Sequence, residues 1–99
     1  MEVKNKELEK ELKMEITAES KELFEAYAKD ADNWSGNPWV TGGNVRLTKG
    51  QRGNLSHLKK LELVDTECDE EFGEYIIFTE KGVEYAKELE IDLSWVRVK

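Results

Sequence analysis

Leu23, Phe24, Tyr27, Ala28 and Ala31 recur at three- and four-residue intervals among polar positions, the spacing of a helix with one buried stripe. Thr17 stands just ahead of that stripe and predicts its N-cap, since a hydroxyl there accepts from a backbone N–H that the first turn leaves unbonded. A second stripe, Leu55, Leu58 and Leu61, follows Thr48 and predicts a helix capped by Thr48 and running to about Leu61. Gly50 and Gly53 lie inside it, and each weakens a helix by roughly 1 kcal/mol relative to Ala, so both need a reason. The period then changes. Leu63–Glu67 and Glu74–Phe78 are rich in β-branched and aromatic residues and predict two strands of a hairpin with Cys68–Gly73 as an acidic tip. Thr79 predicts the cap of a last helix, Glu80 to about Glu90, with Val83, Ala86 and Leu89 facing inward.

Three segments carry weaker patterns. Residues 1–16 place Val3, Leu8, Leu12 and Ile16 on a loose four-residue spacing among Glu and Lys, which suits a charged helix with a narrow apolar seam. Such a helix is marginal alone, and is either frayed and solvated or docked on its own domain or a second copy. Asn33–Asn44 holds the only Pro and three of the seven Gly, so it reads as a loop of turns; Trp34 and Trp39 are expected to fold over the core, the alternative being an exposed recognition pair. Val45–Leu47 predicts a short strand, and Ser94–Lys99 has strand character that either extends a sheet edge or packs on the first helices.

A chain of 99 residues suits one domain, taken as residues 17–99 with 1–16 as an extension, and the element order makes the fold class α+β. Charged residues reach 37%, well above the usual share of about 25%, yet nine aromatics are present to nucleate packing, which argues against disorder. Cys68 is the only cysteine, so disulfide scaffolds and zinc fingers are excluded and a cytoplasmic location is expected. No stretch of about 18 uncharged apolar residues and no apolar leader occurs, so neither a membrane partner nor a signal peptide is expected.

The net charge of −7 speaks against a nonspecific polyanion binder until its distribution is considered. Between Thr41 and Leu61 stand Arg46, Lys49, Arg52, Lys59 and Lys60 with His57 and no acid, which leaves the rest of the chain at −12. At about 100° per residue, turning the leucines inward puts Lys49, Arg52, Gly53, Ser56 and Lys60 on the opposite face. Cations, a small hydroxyl and a bare backbone position on one face suit close approach to phosphates and base edges, Arg52 being able to give two hydrogen bonds to a guanine. A solvated helix face paired with acids elsewhere in the molecule is the plainer alternative.

Chemistry of the catalytic kind finds little footing. The carboxylates lie in runs mixed with Lys, as solvated faces do, with no sign of the buried environment that perturbs a pKa. His57 has no second His or Cys nearby for a metal, and Cys68 lies among carboxylates, the wrong field for a thiolate nucleophile. Gly42-Gly43 and Gly50-Gln-Arg-Gly53 match neither a phosphate-binding loop nor a dinucleotide fingerprint. No enzyme, cofactor or metal is therefore expected.

The succession Leu55-Ser-His-Leu-Lys-Lys-Leu61, a hairpin and Phe78-Thr-Glu-Lys-Gly82 resembles the winged helix-turn-helix domains of MarR-type and PadR-type bacterial transcriptional regulators over roughly residues 45–90. The resemblance implies a winged-helix-like fold in which residues 49–60 are the recognition helix, the hairpin is the wing and terminal helices dimerise. By position, Lys49, Arg52, Ser56 and Lys60 then contact the groove, flanked by Arg46, Gly53, His57 and Lys59. The implied function is regulation through double-stranded DNA, in a bacterium or its phage. Two features depart from the pattern. The helix that ordinarily precedes the recognition helix is replaced by the Trp-containing loop, and Asp65, Glu67, Asp69, Glu70, Glu71 and Glu74 make the wing acidic where such wings commonly carry a base. The competing expectation is a winged-helix module that binds a protein partner through its acidic hairpin or its basic helix.

Overall fold

The computed structural model describes residues 16–41 and 43–99. The seam of Val3, Leu8 and Leu12, with the homodimer contact expected of it, lies outside the described residues. Helix α1 spans Ala18–Asp30, and the Thr17 hydroxyl accepts from Ser20 N at 3.1 Å, the cap its position predicts. A short 3-10 turn, Ala31–Asn33, follows. Helix α2 spans Lys49–Lys60 behind Thr48, whose hydroxyl accepts from Gln51 N at 3.2 Å. Strands β1 (Val64–Asp69) and β2 (Gly73–Phe78) pair antiparallel with Val64 opposite Phe78, and α3 (Glu80–Glu88) starts at Thr79, which accepts from Gly82 N at 2.9 Å. The described architecture is thus α+β, three helices and a hairpin.

Leu23, Phe24, Tyr27 and Ala28 of α1, Leu55 and Leu58 of α2, Val64, Ile76 and Phe78 of the hairpin and Ala86 of α3 share one core. Phe24 is fully enclosed, edge-on to Phe78 at 6.0 Å and tilted against Tyr85 at 5.2 Å between ring centroids. Leu61, Val83 and Leu89 are only partly covered, at the rim. Of the C-terminal segment, Leu93 and Val96 turn into the core, and Lys99 N donates to Phe78 O at 3.0 Å.

Three expectations are corrected. Val45–Leu47 is not a strand: Val45 drops into the core, while the edge of β2 is taken by the preceding loop, with Ile76 N donating to Pro38 O at 2.8 Å and Val40 N to Glu74 O at 2.9 Å. The loop is therefore not turns alone, since Trp39 forms a bridge with Tyr75. The hairpin tip is only Glu70–Phe72, because Cys68 and Asp69 stay in register opposite Glu74 and Gly73. The Asp69 carboxylate accepts from Glu71 N at 2.8 Å and Phe72 N at 3.0 Å, which stabilises this tight turn without a longer loop.

Helices α2 and α3 end alike. Leu63 N reaches back to Leu58 O at 3.1 Å and Ile91 N to Ala86 O at 2.8 Å, with Glu62 and Glu90 each at φ 65°. These are Schellman closures that ordinarily favour Gly at the left-handed position. The α2 closure exposes the Glu62 and Leu63 carbonyls to α3, where the Thr79 hydroxyl donates to Glu62 O. Gly82 packs so tightly there that a Cβ would overlap the Leu63 carbonyl. Gly82→Ala is therefore expected to destabilise the protein by about 1–3 kcal/mol, as overpacking against rigid backbone does, measured by urea unfolding.

Candidate nucleic-acid interface

The segment that delivers the chain into α2 is organised by one buried carboxylate. Asp30, only 5% exposed at the end of α1, accepts from Asn33 Nδ2 at 2.8 Å, Trp34 Nε1 at 2.9 Å, Asn44 Nδ2 at 2.7 Å and Asn44 N at 3.3 Å. Burial pushes its pKa up, but the hydrogen bonds from Asn44, Asn33 and Trp34 together outweigh burial and hold it below the usual carboxylate range. The expectation that no carboxylate sits in a perturbing environment is thus corrected. Its sequence signal was slight: Asn33 and Trp34 follow Asp30 at helical spacing, but Asn44 is brought in only by the fold.

With the loop tied down at Asn44, Val45 enters the core and Thr48 is set to cap α2. The helix is fixed against α1 by a polar chain, in which Ser20 Oγ donates to Asn54 Oδ1 at 3.3 Å and Asn54 Nδ2 to Gln51 Oε1 at 2.9 Å. Leu58 is fully enclosed and Leu55 buried. The opposite face follows from the helical period: Lys49, Arg52, Gly53, Ser56, Lys59 and Lys60 are all exposed, as is Arg46 in the approach, while His57 is half-buried on the flank. Every residue expected at the interface except His57 is therefore solvent-facing. A Cβ at Gly53 would meet nothing within 4 Å, so no contact inside the molecule requires that glycine.

The acidic hairpin begins beside this helix. Tyr27, whose hydroxyl donates to Val40 O at 2.9 Å, has its pKa pushed up to about 12 by burial, with the charge of Arg52 opposing the rise and that of Glu74 adding to it. Arg52 and Glu74 thus both lie within electrostatic reach of one phenol. Asp65 is held below its usual range by a hydrogen bond from Thr66 N and by Lys99, burial opposing them and the charge of Lys59 adding a smaller part. Lys99 Nζ lies 3.2 Å from Asp65 and 3.5 Å from Glu67, so two of the six hairpin carboxylates have a cation of the molecule's own.

Trp34 and Trp39 are half-buried, Trp34 held by Asp30 and Trp39 paired with Tyr75 of β2. Among the described residues no group of three or more His, Cys, Asp or Glu is placed to hold a metal, and no helix is long and apolar enough to cross a membrane. Comparison of the chain with protein-family models, curated proteins and solved structures gives no match.

Two outcomes test this geometry. The folded pKa of Asp30 lies below the unfolded one, so its ionised form stabilises the fold fully above the unfolded value of about 3.9, and that contribution is lost as pH falls through the folded value. Asp30→Asn should lower stability by about 1.5–3 kcal/mol at neutral pH, the difference from the parent shrinking below about pH 4, as measured by urea unfolding across pH. Gly53→Ala should raise stability by about 0.5–1 kcal/mol, because the helix gains and nothing is displaced; thermal unfolding checks it.

Proposed function

We propose that the protein is a winged-helix-like regulator that binds double-stranded DNA with the exposed face of α2. The observation carrying this reading is that face itself: four cations, a hydroxyl and a glycine with no internal packing partner, in a stretch without acid, on a chain whose remainder is at −12. A face kept clear of carboxylates in so acidic a chain creates a local positive field, which steers a polyanion to it. Gly53 leaves the backbone bare at the middle of the face, where a phosphate or base edge can come closer than any side chain permits. Lys49, Lys60 and Arg46 serve as phosphate contacts and Arg52 and Ser56 as base-edge contacts, with Lys59 and His57 at the flanks.

The order of elements supports the winged-helix reading. A helix, an isolated β-bridge at Trp39, the basic helix and a hairpin occur in that sequence, with the Asp30-bound loop standing where a helix ordinarily precedes the recognition helix. The Lys99 pairs reduce the repulsion that Asp65 and Glu67 exert on a phosphate backbone.

With about three to five phosphates neutralised per protein, log K against log salt should fall with a slope of about −3 to −4.5. Arg52→Ala and Lys60→Ala should weaken binding to a duplex selected from a random library, and Gly53→Ala should weaken it while the fold is retained. A salt slope near zero, or selection that enriches no duplex even at low salt, overturns the reading.

A further inference from the structure

The hairpin carries a second surface of opposite character. Trp39 lies at the centre of four rings, meeting Trp34 at 6.3 Å, Phe72 at 6.2 Å and Tyr75 at 6.0 Å between centroids, all edge-on. Three of these rings are half-buried, but Phe72 is 71% exposed, the most exposed large apolar side chain described. Its exposure is held in place, since Asp69 accepts from both Glu71 N and Phe72 N and fixes the turn that presents it. The turn itself needs only a turn-forming residue, and beyond its edge contact with Trp39 most of the Phe72 ring is left in water.

Carboxylates surround the rings. Tyr75 Oη donates to Glu67 Oε1 at 3.2 Å, and Lys99 reaches Glu67 from the tail, whereas Glu70 and Glu71 adjoin Phe72, are exposed, and lie in a stretch from Leu61 to Glu80 without Lys or Arg. The negative faces of aromatic rings and the carboxylates attract the same kind of ligand, a cation with some apolar surface. A planar guanidinium meets both demands, stacking on a ring while giving paired hydrogen bonds to a carboxylate. Nucleic acid is disfavoured there by the same carboxylates that would face its phosphates.

We infer that this face, Trp39 and Phe72 flanked by Glu70 and Glu71, docks an arginine-bearing segment of a protein partner. Charge complementarity selects the occupant, and the exposed Phe72 ring supplies the anchor. The surface shares no residue with the exposed face of α2, and the inference does not depend on DNA being bound.

A fluorescein-labelled octa-arginine peptide, titrated against the full chain by anisotropy at about 100 mM salt, is the probe, since exposed charges more than about 10 Å apart are largely screened there. The peptide should bind, and its addition should move the Trp39 indole N–H resonance and leave that of Trp95 in place. Phe72→Ala, which removes a mostly exposed ring and its edge contact with Trp39 and should leave the fold intact by circular dichroism, should weaken binding roughly three- to tenfold, while Phe72→Tyr retains it. Neutralising Glu70 and Glu71 to Gln should weaken it as well, and Arg52→Ala with Lys60→Ala should not. Equal binding by the Phe72→Ala protein would mean undirected attraction to the carboxylates and overturns the proposal. So does sedimentation of the free protein as a dimer that Phe72→Ala dissociates, which would give the face to a second copy.

Discussion

Four hydrogen bonds converge on the buried Asp30 carboxylate, and the placement of α2 follows from them. A carboxylate taken out of water without partners is strongly unfavourable, so Asn33, Trp34 and Asn44 have to be where they are if the end of α1 is to be covered. That requirement closes the loop between α1 and α2 without a helix. It also turns Val45 inward, which leaves Thr48 to start α2 at a defined point. Burial of Leu55 and Leu58 turns the cations of α2 outward, and the Ser20–Asn54 hydrogen bond ties the helix to α1 in that orientation.

The second constraint is the separation of charge. The basic stretch on α2 and the acidic hairpin are adjacent in the chain and meet around Tyr27, where the fields of Arg52 and Glu74 oppose each other. Neighbouring patches of opposite sign attract within the molecule, and Lys99 at the hairpin satisfies part of the acidic side without drawing on α2. An evenly mixed surface would favour solubility equally well, and the segregation is the feature on which the proposed DNA contact rests.

The hairpin shows how one short element serves two purposes. One face of β1 and β2, with Val64, Ile76 and Phe78, closes the core. The other brings Tyr75 against Trp39 and Glu67, and it owes its covering to a loop segment that pairs with β2 at the residues 38–40. The two proposals thus assign a polyanion to residues of α2 and a cationic segment to residues of the loop and the hairpin.

Local chemistry made much of this legible from the sequence. Thr17, Thr48 and Thr79 cap their helices as their positions imply, because a cap depends on residues three positions away. The inward turn of Leu55 and Leu58 and the outward turn of Lys49, Arg52, Gly53, Ser56 and Lys60 follow from helical period alone. What the sequence did not reveal depends on partners distant in the chain: the burial of Asp30 beneath Asn44, the pairing of Trp39 with Tyr75, the tail at Phe78 and the contact of Gly82 with Leu63. The strand expected at Val45–Leu47 failed for the same reason. Strand character is realised only where an edge is open, and residues 38–40 had already taken that of β2. The positive face was therefore written into the sequence, whereas its orientation and the assembly of the four rings beside the acidic turn were decided by contacts that exist only once the chain has folded.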